Sequence, residues 1–224
     1  MKERPILFNG PMVRAILDDR KTMTRRLDGL KTINSCPSQW VQAVRLNDGT
    51  WIFWGPFYVD EEWVRNKAYP NGGGFKPPYS IGDHLYVRET WMGAVDGDEP
   101  LYGILYKASW NQPKRLEPDF RLDERAKKYF TGASRWRPSI HMPKWAARLW
   151  LDVTDVRAER IQDISRKDAK SEGFWPSEYN GLESWAGKLY GNTQLAFEAC
   201  WKDLYPGSWE RNDWVFAYTF KVLR

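Results

Sequence analysis

The stretch of this chain richest in reactive groups is LDDRKTMTRR, Leu17 to Arg26. It places Lys21 three residues before Thr24, among Arg20, Arg25 and Arg26, with Asp18 and Asp19 ahead of it and Arg14 just upstream. Side chains of these types can serve in three ways. As a polar connector, the arginines pair with Asp18, Asp19 and Asp28 in solvent. As a clamp, the cations hold a phosphate. As a hydrolytic pair, Thr24 supplies a nucleophilic hydroxyl and Lys21 takes its proton, the logic of serine–lysine hydrolases. The third use needs a neutral amine. A free lysine titrates near about 10.4, so the site must lower it by roughly 3 units through burial or nearby cations. It also needs a bend, because a spacing of three puts side chains on opposite faces of a strand but on one face of a helical turn.

A second concentration is SRWRPSIHMPKWAARLW, 134–150. Arg135, Arg137, Lys144 and Arg148 interleave there with Trp136, Trp145 and Trp150, and His141 lies between them. That mixture suits a groove that tracks a phosphate backbone and stacks bases, and it equally suits a strand approach with its tryptophans packed inward. Glu89, in VRETW, either faces solvent or turns into a pocket, where it can recognise an amino group on a base. The chain has 14 tryptophans in 224 residues. Most are expected in the core, with one or two exposed as stacking platforms.

Composition narrows the partners. With 34 basic and 29 acidic residues the formal charge is +5, which favours anionic partners without resembling a polycationic tail. No run of about 18 apolar residues is present, so no membrane span is expected. The N-terminus MKERPILFNG lacks the apolar core of a secretion signal. Cys36 and Cys200 are the only cysteines, and His84 and His141 the only histidines. This fits a reduced, cytoplasmic protein and chemistry without a metal or cofactor.

The elements that must position these groups are legible in part. Gly10 and Pro11 open a short amphipathic helix over 11–18, with Met12, Val13, Ile16 and Leu17 at helical spacing. Residues 84–91 read as a strand after the Ile81-Gly82-Asp83 turn. Leu149, Leu151 and Val153 alternate with polar residues, as do Trp214, Phe216, Tyr218, Phe220 and Val222, which marks two more strands. Between them, Ser165 with Asp168 resembles a capping box and Gly173 a stop, predicting a helix over about 166–172. A further helix is expected over 193–203, followed by a turn at 205–207. The pattern predicts an α+β fold around a small antiparallel β-barrel flanked by short helices. Residues of about 29–80, which include YPNGGGFKPPYS, and about 92–137 read as two large irregular insertions in a single domain, 1–224.

In this order, the elements and motifs resemble the ASCH family, whose fold is related to the PUA domain. The family signature, Gly-x-Lys-x-x-Thr-x-Arg after a short helix, is met by Lys21, Thr24 and Arg26, with Asp19 where glycine is usual. The likeness continues through IGDHLYV (81–87), LDVTDVRAERIQDISRKDAKSEGF (151–174), DLYPG (203–207) and FKVL (220–223), about half of the chain. WRPSIHMPKWAARL looks like the larger family members of tailed phages and prophages.

The resemblance implies a PUA-like barrel and, by analogy with the small bacterial members that hydrolyse N4-acetylcytidine, a catalytic set of Lys21, Thr24 and Glu172. Glu172 falls in the last turn of its predicted helix, where the dipole disfavours a negative charge and suits proton transfer. Asp168 lies one turn earlier. Thr22, Arg26, Glu89, Arg135, Arg137, His141 and Lys144 are the expected substrate contacts. The expected substrate is a modified nucleoside or single-stranded nucleic acid, RNA ahead of DNA, met in the cytoplasm, which for a phage gene is the host's. A non-catalytic binder of the same ligands is the alternative. A ribonuclease using lysine and glutamate on the 2′-hydroxyl is the third.

Overall fold

The computed structural model describes residues 1–55, 74–96, 101–109, 114–115, 128–130, 135–175, 183–185 and 188–223. Its strands are β1 (Glu3–Leu7), β2 (Met23–Arg26), β3 (Gln42–Arg45), β4 (Trp51–Trp54), β5 (His84–Arg88), β6 (Trp91–Asp96), β7 (Leu101–Tyr106), β8 (Lys114–Arg115), β9 (Trp150–Arg160), β10 (Glu183–Trp185), β11 (Lys188–Tyr190) and β12 (Trp214–Leu223). Its α-helices are α1 (Gly10–Leu17), α2 (Arg166–Ser171) and α3 (Thr193–Leu204). The class is α+β, mostly sheet with few helices, and no sheet among the described residues closes into a barrel. No helix among them is long and apolar enough to cross a membrane. The chain forms two compact units, one of Met1–Asp19, Asp83–Asp152 and Val222–Arg224, the other of Arg20–Gly82 and Val153–Lys221.

In the first unit, α1 buries Val13, Ala15 and Ile16. Its cap is Asn9, one residue before the expected Gly10, because the Asn9 side chain can accept the Met12 N–H at 3.0 Å and glycine has none to offer. β1 runs parallel to β5, with Glu3 opposite His84 and Leu7 opposite Arg88. β5 runs antiparallel to the first residues of β9. Leu85 and Val87 are fully buried on one face of β5.

The stretch 92–137, expected to be irregular, carries most of a three-stranded antiparallel sheet, β6-β7-β8. Its alternation was hidden because each apolar run lasts one short strand before charged residues interrupt it. Trp91, Ile104 and Tyr106 from this sheet pack with Phe130, Met142, Ala146 and Ala147 into one buried cluster, against which Tyr129 and Trp145 also lie.

In the second unit, β12 lies between β9 and β2. Tyr218 stands opposite Thr24 and Ala217 opposite Arg25. The alternation read on β12 is real, but residues 214–218 are buried on both faces. Both faces of this part of the sheet are therefore covered, and the second is filled by the small apolar Val215 and Ala217. The 29–80 stretch also holds regular structure. β3 and β4 form a hairpin whose turn is Asn47-Asp48-Gly49, a pattern that favours tight turns. Residues 69–73 of the Gly/Pro segment lie outside the described residues.

α2 matches its expected signals. Ser165 accepts the Asp168 N–H at 3.0 Å, and Gly173 takes φ +100°, a conformation that costs glycine little. α3 is capped by Asn192 and buries Ala196, Phe197, Cys200 and Trp201.

Candidate functional site

Backbone pairing brings the end of α2 against the segment entering β2. The chain turns out of α1 at Asp19, whose φ of +57° is left-handed. Aspartate is among the few non-glycine residues that visit this region readily, so the turn forms without a glycine. Lys21 then forms an isolated antiparallel bridge with Glu172. The Thr22 N–H donates to Ser171 O at 2.8 Å, and the Phe220 N–H donates to Thr22 O at 2.9 Å.

This pairing delivers Lys21 and Glu172 to each other although they are 151 residues apart. Lys21 is 1% exposed and Glu172 4%. The lysine Nζ donates to Glu172 Oε2 at 2.6 Å, to Glu172 O at 2.9 Å and to Met23 O at 2.8 Å, which uses the three donors of an ammonium. Burial pulls the Lys21 pKa down from its ordinary value. The Glu172 carboxylate opposes that shift, and the Arg26 charge reinforces it.

Arg25 occupies the centre of the same face. Its Nη1 donates to Glu172 Oε1 at 3.0 Å, its Nε to Glu159 Oε1 at 2.8 Å and its Nη2 to Asp168 Oδ2 at 3.2 Å. Arg157 Nη2 reaches Asp168 Oδ2 at 3.1 Å. Phe197 of α3 lies 5.8 Å from the guanidinium. Burial works against the Arg25 charge, but Glu172 and Glu159 outweigh it and raise its pKa. Three cations and three carboxylates thus meet between β2, β9 and α2. The buried Cys200 thiol lies near enough to feel both Lys21 and Glu172.

Of the expected catalytic set, the structure joins Lys21 to Glu172. Thr24 is buried on β2, one residue from Arg25 and therefore on the other face of the strand. No hydrogen bond among the described residues links it to Lys21 or Glu172. Thr22 is exposed and held through its backbone, and Arg26 is half-buried.

The remaining expected contacts belong to the first unit. Glu89 is buried, and both its oxygens are taken by Arg148, at 2.9 Å each. Burial raises its pKa, with Arg148 opposing. The Arg148 guanidinium stacks 4.0 Å from the Tyr106 ring centroid. Lys144 pairs with Glu3 and lies over Trp150. Arg137 covers Tyr129, while Arg135 and His141 are exposed. Of the tryptophans in this stretch, Trp145 packs into the cluster and Trp136 is 40% exposed.

Sequence reading missed the Arg25–Glu159–Asp168 hub. Its signal was the alternation Lys21, Met23, Arg25, which puts Arg25 on the Lys21 side of the strand. Trp175 was also missed. It is 47% exposed three residues after Glu172, and its Nε1 donates to Arg20 O at 3.4 Å. No family model, curated protein or solved structure matches the chain.

Proposed function

We propose that the second unit carries an amide-hydrolysing site of the ASCH type, on a PUA-related fold, acting on an N4-acylated cytidine or a related modified base in the cytoplasm. The observation that carries this reading is the buried Lys21–Glu172 pair. Moving one proton from Nζ to Oε2, over 2.6 Å, turns an ion pair into a neutral amine beside a carboxylic acid. The burial that lowers the lysine pKa favours that form.

The amine then takes the proton of an attacking water, since Thr24 lies on the other face of β2. The nucleophile adds to the amide carbonyl, the C–N bond breaks and the Glu172 proton goes to the departing exocyclic nitrogen. Free amine and carboxylate are the products. Trp175, part-exposed, anchored to the residue before Lys21 and with Lys170 over its ring, offers an aromatic and cationic surface to a flat substrate.

A second reading, non-catalytic binding of RNA or a modified nucleotide, is favoured by one observation. All three Lys21 donors are already engaged, as in a static brace. The test is acetate release from N4-acetylcytidine by the purified protein, with Lys21→Met, Thr24→Ala and Glu172→Gln beside it. Release abolished by Lys21→Met and Glu172→Gln in variants shown to be folded supports the hydrolase, and Thr24→Ala should keep release because water attacks. A folded wild type that releases none sinks the reading. Salt-dependent retention of single-stranded RNA would then favour the binder, and cleavage of unmodified RNA the nuclease.

A further inference from the structure

We infer that Arg25 is a positioning residue for the Lys21–Glu172 pair. By holding Glu172 Oε1 it assigns Oε2 to the lysine, and its charge sets the pH range over which the pair keeps its single proton. The inference rests on the hydrolytic reading and adds a residue that the reading does not itself require.

The geometry is specific. The Arg25 side chain is fully buried and engages three carboxylates from two other elements, Glu159 on β9 with Asp168 and Glu172 on and after α2. A guanidinium presents its donors in a rigid planar fork. With Nε and Nη2 fixed by Glu159 and Asp168, Nη1 can lie in only one place, and Glu172 Oε1 meets it at 3.0 Å. Oε2 then points at Lys21. Remove the fork and the carboxylate is free to turn, so that either oxygen or neither faces the amine.

The groups bearing on the pair come from every element packed around it. Arg20, Arg25 and Arg26 flank Lys21, Arg157 and Glu159 stand on β9, Asp168 on α2 and Cys200 on α3. Among these, Arg25 touches Glu172 directly. The productive state holds one proton between Lys21 and Glu172. A second proton inactivates it on the acid side, and loss of the first inactivates it on the alkaline side. A positive charge in contact opposes protonation, so its removal shifts both limbs to higher pH.

The test compares pH profiles of kcat/KM for N4-acetylcytidine hydrolysis in wild type, Arg25→Lys, Arg25→Met and Arg25→Met/Glu159→Gln. The last variant removes one charge of each sign and keeps the protein testable if Arg25→Met does not fold. In Arg25→Met the acid limb should rise by about one to three pH units, and in Arg25→Met/Glu159→Gln it should rise by less, because Glu159 is more distant than Arg25 and its loss offsets only part of the effect. In Arg25→Lys the charge remains and the fork is lost. Its limb should stay within about half a unit of wild type while kcat falls by roughly tenfold to a hundredfold.

A folded methionine variant with an unmoved limb overturns the inference, because a merely structural brace would lower activity without moving the profile. If wild type releases no acetate, the hydrolytic reading fails by itself. Arg25 is then judged by carbon NMR titration of the Glu172 carboxyl in wild type and Arg25→Met/Glu159→Gln. A midpoint raised by a unit or more supports the charge role, and an unchanged one refutes it.

Discussion

Lys21→Met and Glu172→Gln should each destabilise the protein strongly, while the double substitution should cost much less than their sum. Lys21→Met keeps most of the volume but leaves Glu172 Oε2 and the carbonyls of Met23 and Glu172 without their donor. Glu172→Gln leaves a buried ammonium with only neutral acceptors, and Arg25 with one carboxylate fewer. Breaking a buried pair from one side typically costs about 3–5 kcal/mol. For a chain of this length, roughly 2–4 °C of melting temperature accompanies each kcal/mol, so each single variant should melt ~6–20 °C below wild type. Lys21→Met/Glu172→Gln restores charge balance, and the coupling from the double-mutant cycle should be at least about 2 kcal/mol. Calorimetry at neutral pH reads all four proteins. Single variants that each lose under about 1 kcal/mol and add without coupling would show that water reaches the pair. The argument for a lysine neutralised by burial would go with them.

Three further outcomes follow from the same structure. Because the folded state lowers the Lys21 pKa below its ordinary value of 10.5, the unfolded chain binds more protons between the two values, and stability from this group rises with pH there. The cost of Lys21→Met should therefore grow as pH climbs toward 10.5, a difference that cancels the opposing trend from Tyr106, Tyr218 and Cys200, whose ionisation burial disfavours in both proteins. The Cys200 thiol, pushed up to about 12 by burial, should resist a thiol reagent at pH 8 while the half-buried Cys36 reacts, and a fast second equivalent in folded protein would refute its placement. Ser165→Ala removes the α2 cap and should cost about 1 kcal/mol in thermal unfolding.

What the sequence revealed was local. The caps and stops of α2 lie within a few residues of one another, and the alternation of β12 runs through one segment, so both were legible. The β3–β4 hairpin was overlooked although Asn47-Asp48-Gly49 is a local hairpin signal, and the β6-β7-β8 sheet was hidden because its strands are short and separated by charged residues. The pairing of Lys21 with Glu172 was reachable only through the motif resemblance, since nothing in either neighbourhood points 151 residues along the chain. Arg25 was read as a cation that would depress Lys21. The structure instead turns it toward carboxylates, because β2 presents it on the face where Glu159, Asp168 and Glu172 converge, while Arg26 bears on the lysine. In the same way Arg148, read as part of a basic groove, is held by Glu89 and Tyr106.

The charge balance of the site bears on what it is for. Lys21, Arg25 and Arg157 face Glu159, Asp168 and Glu172, and burying such a set costs desolvation that apolar residues of similar volume would avoid. Fold stability is therefore a weak reason for it. Binding uses the pair only as a static brace, since the lysine donors point inward to Met23 and Glu172. The proposed reaction gives this arrangement a use. Moving the Lys21 proton to Glu172 changes no net charge inside the cluster, so a neutral amine and a carboxylic acid can coexist there without an unpaired charge being created in a buried place. A base and an acid available together, at a site that otherwise stays electrically balanced, are what the proposed amide hydrolysis uses.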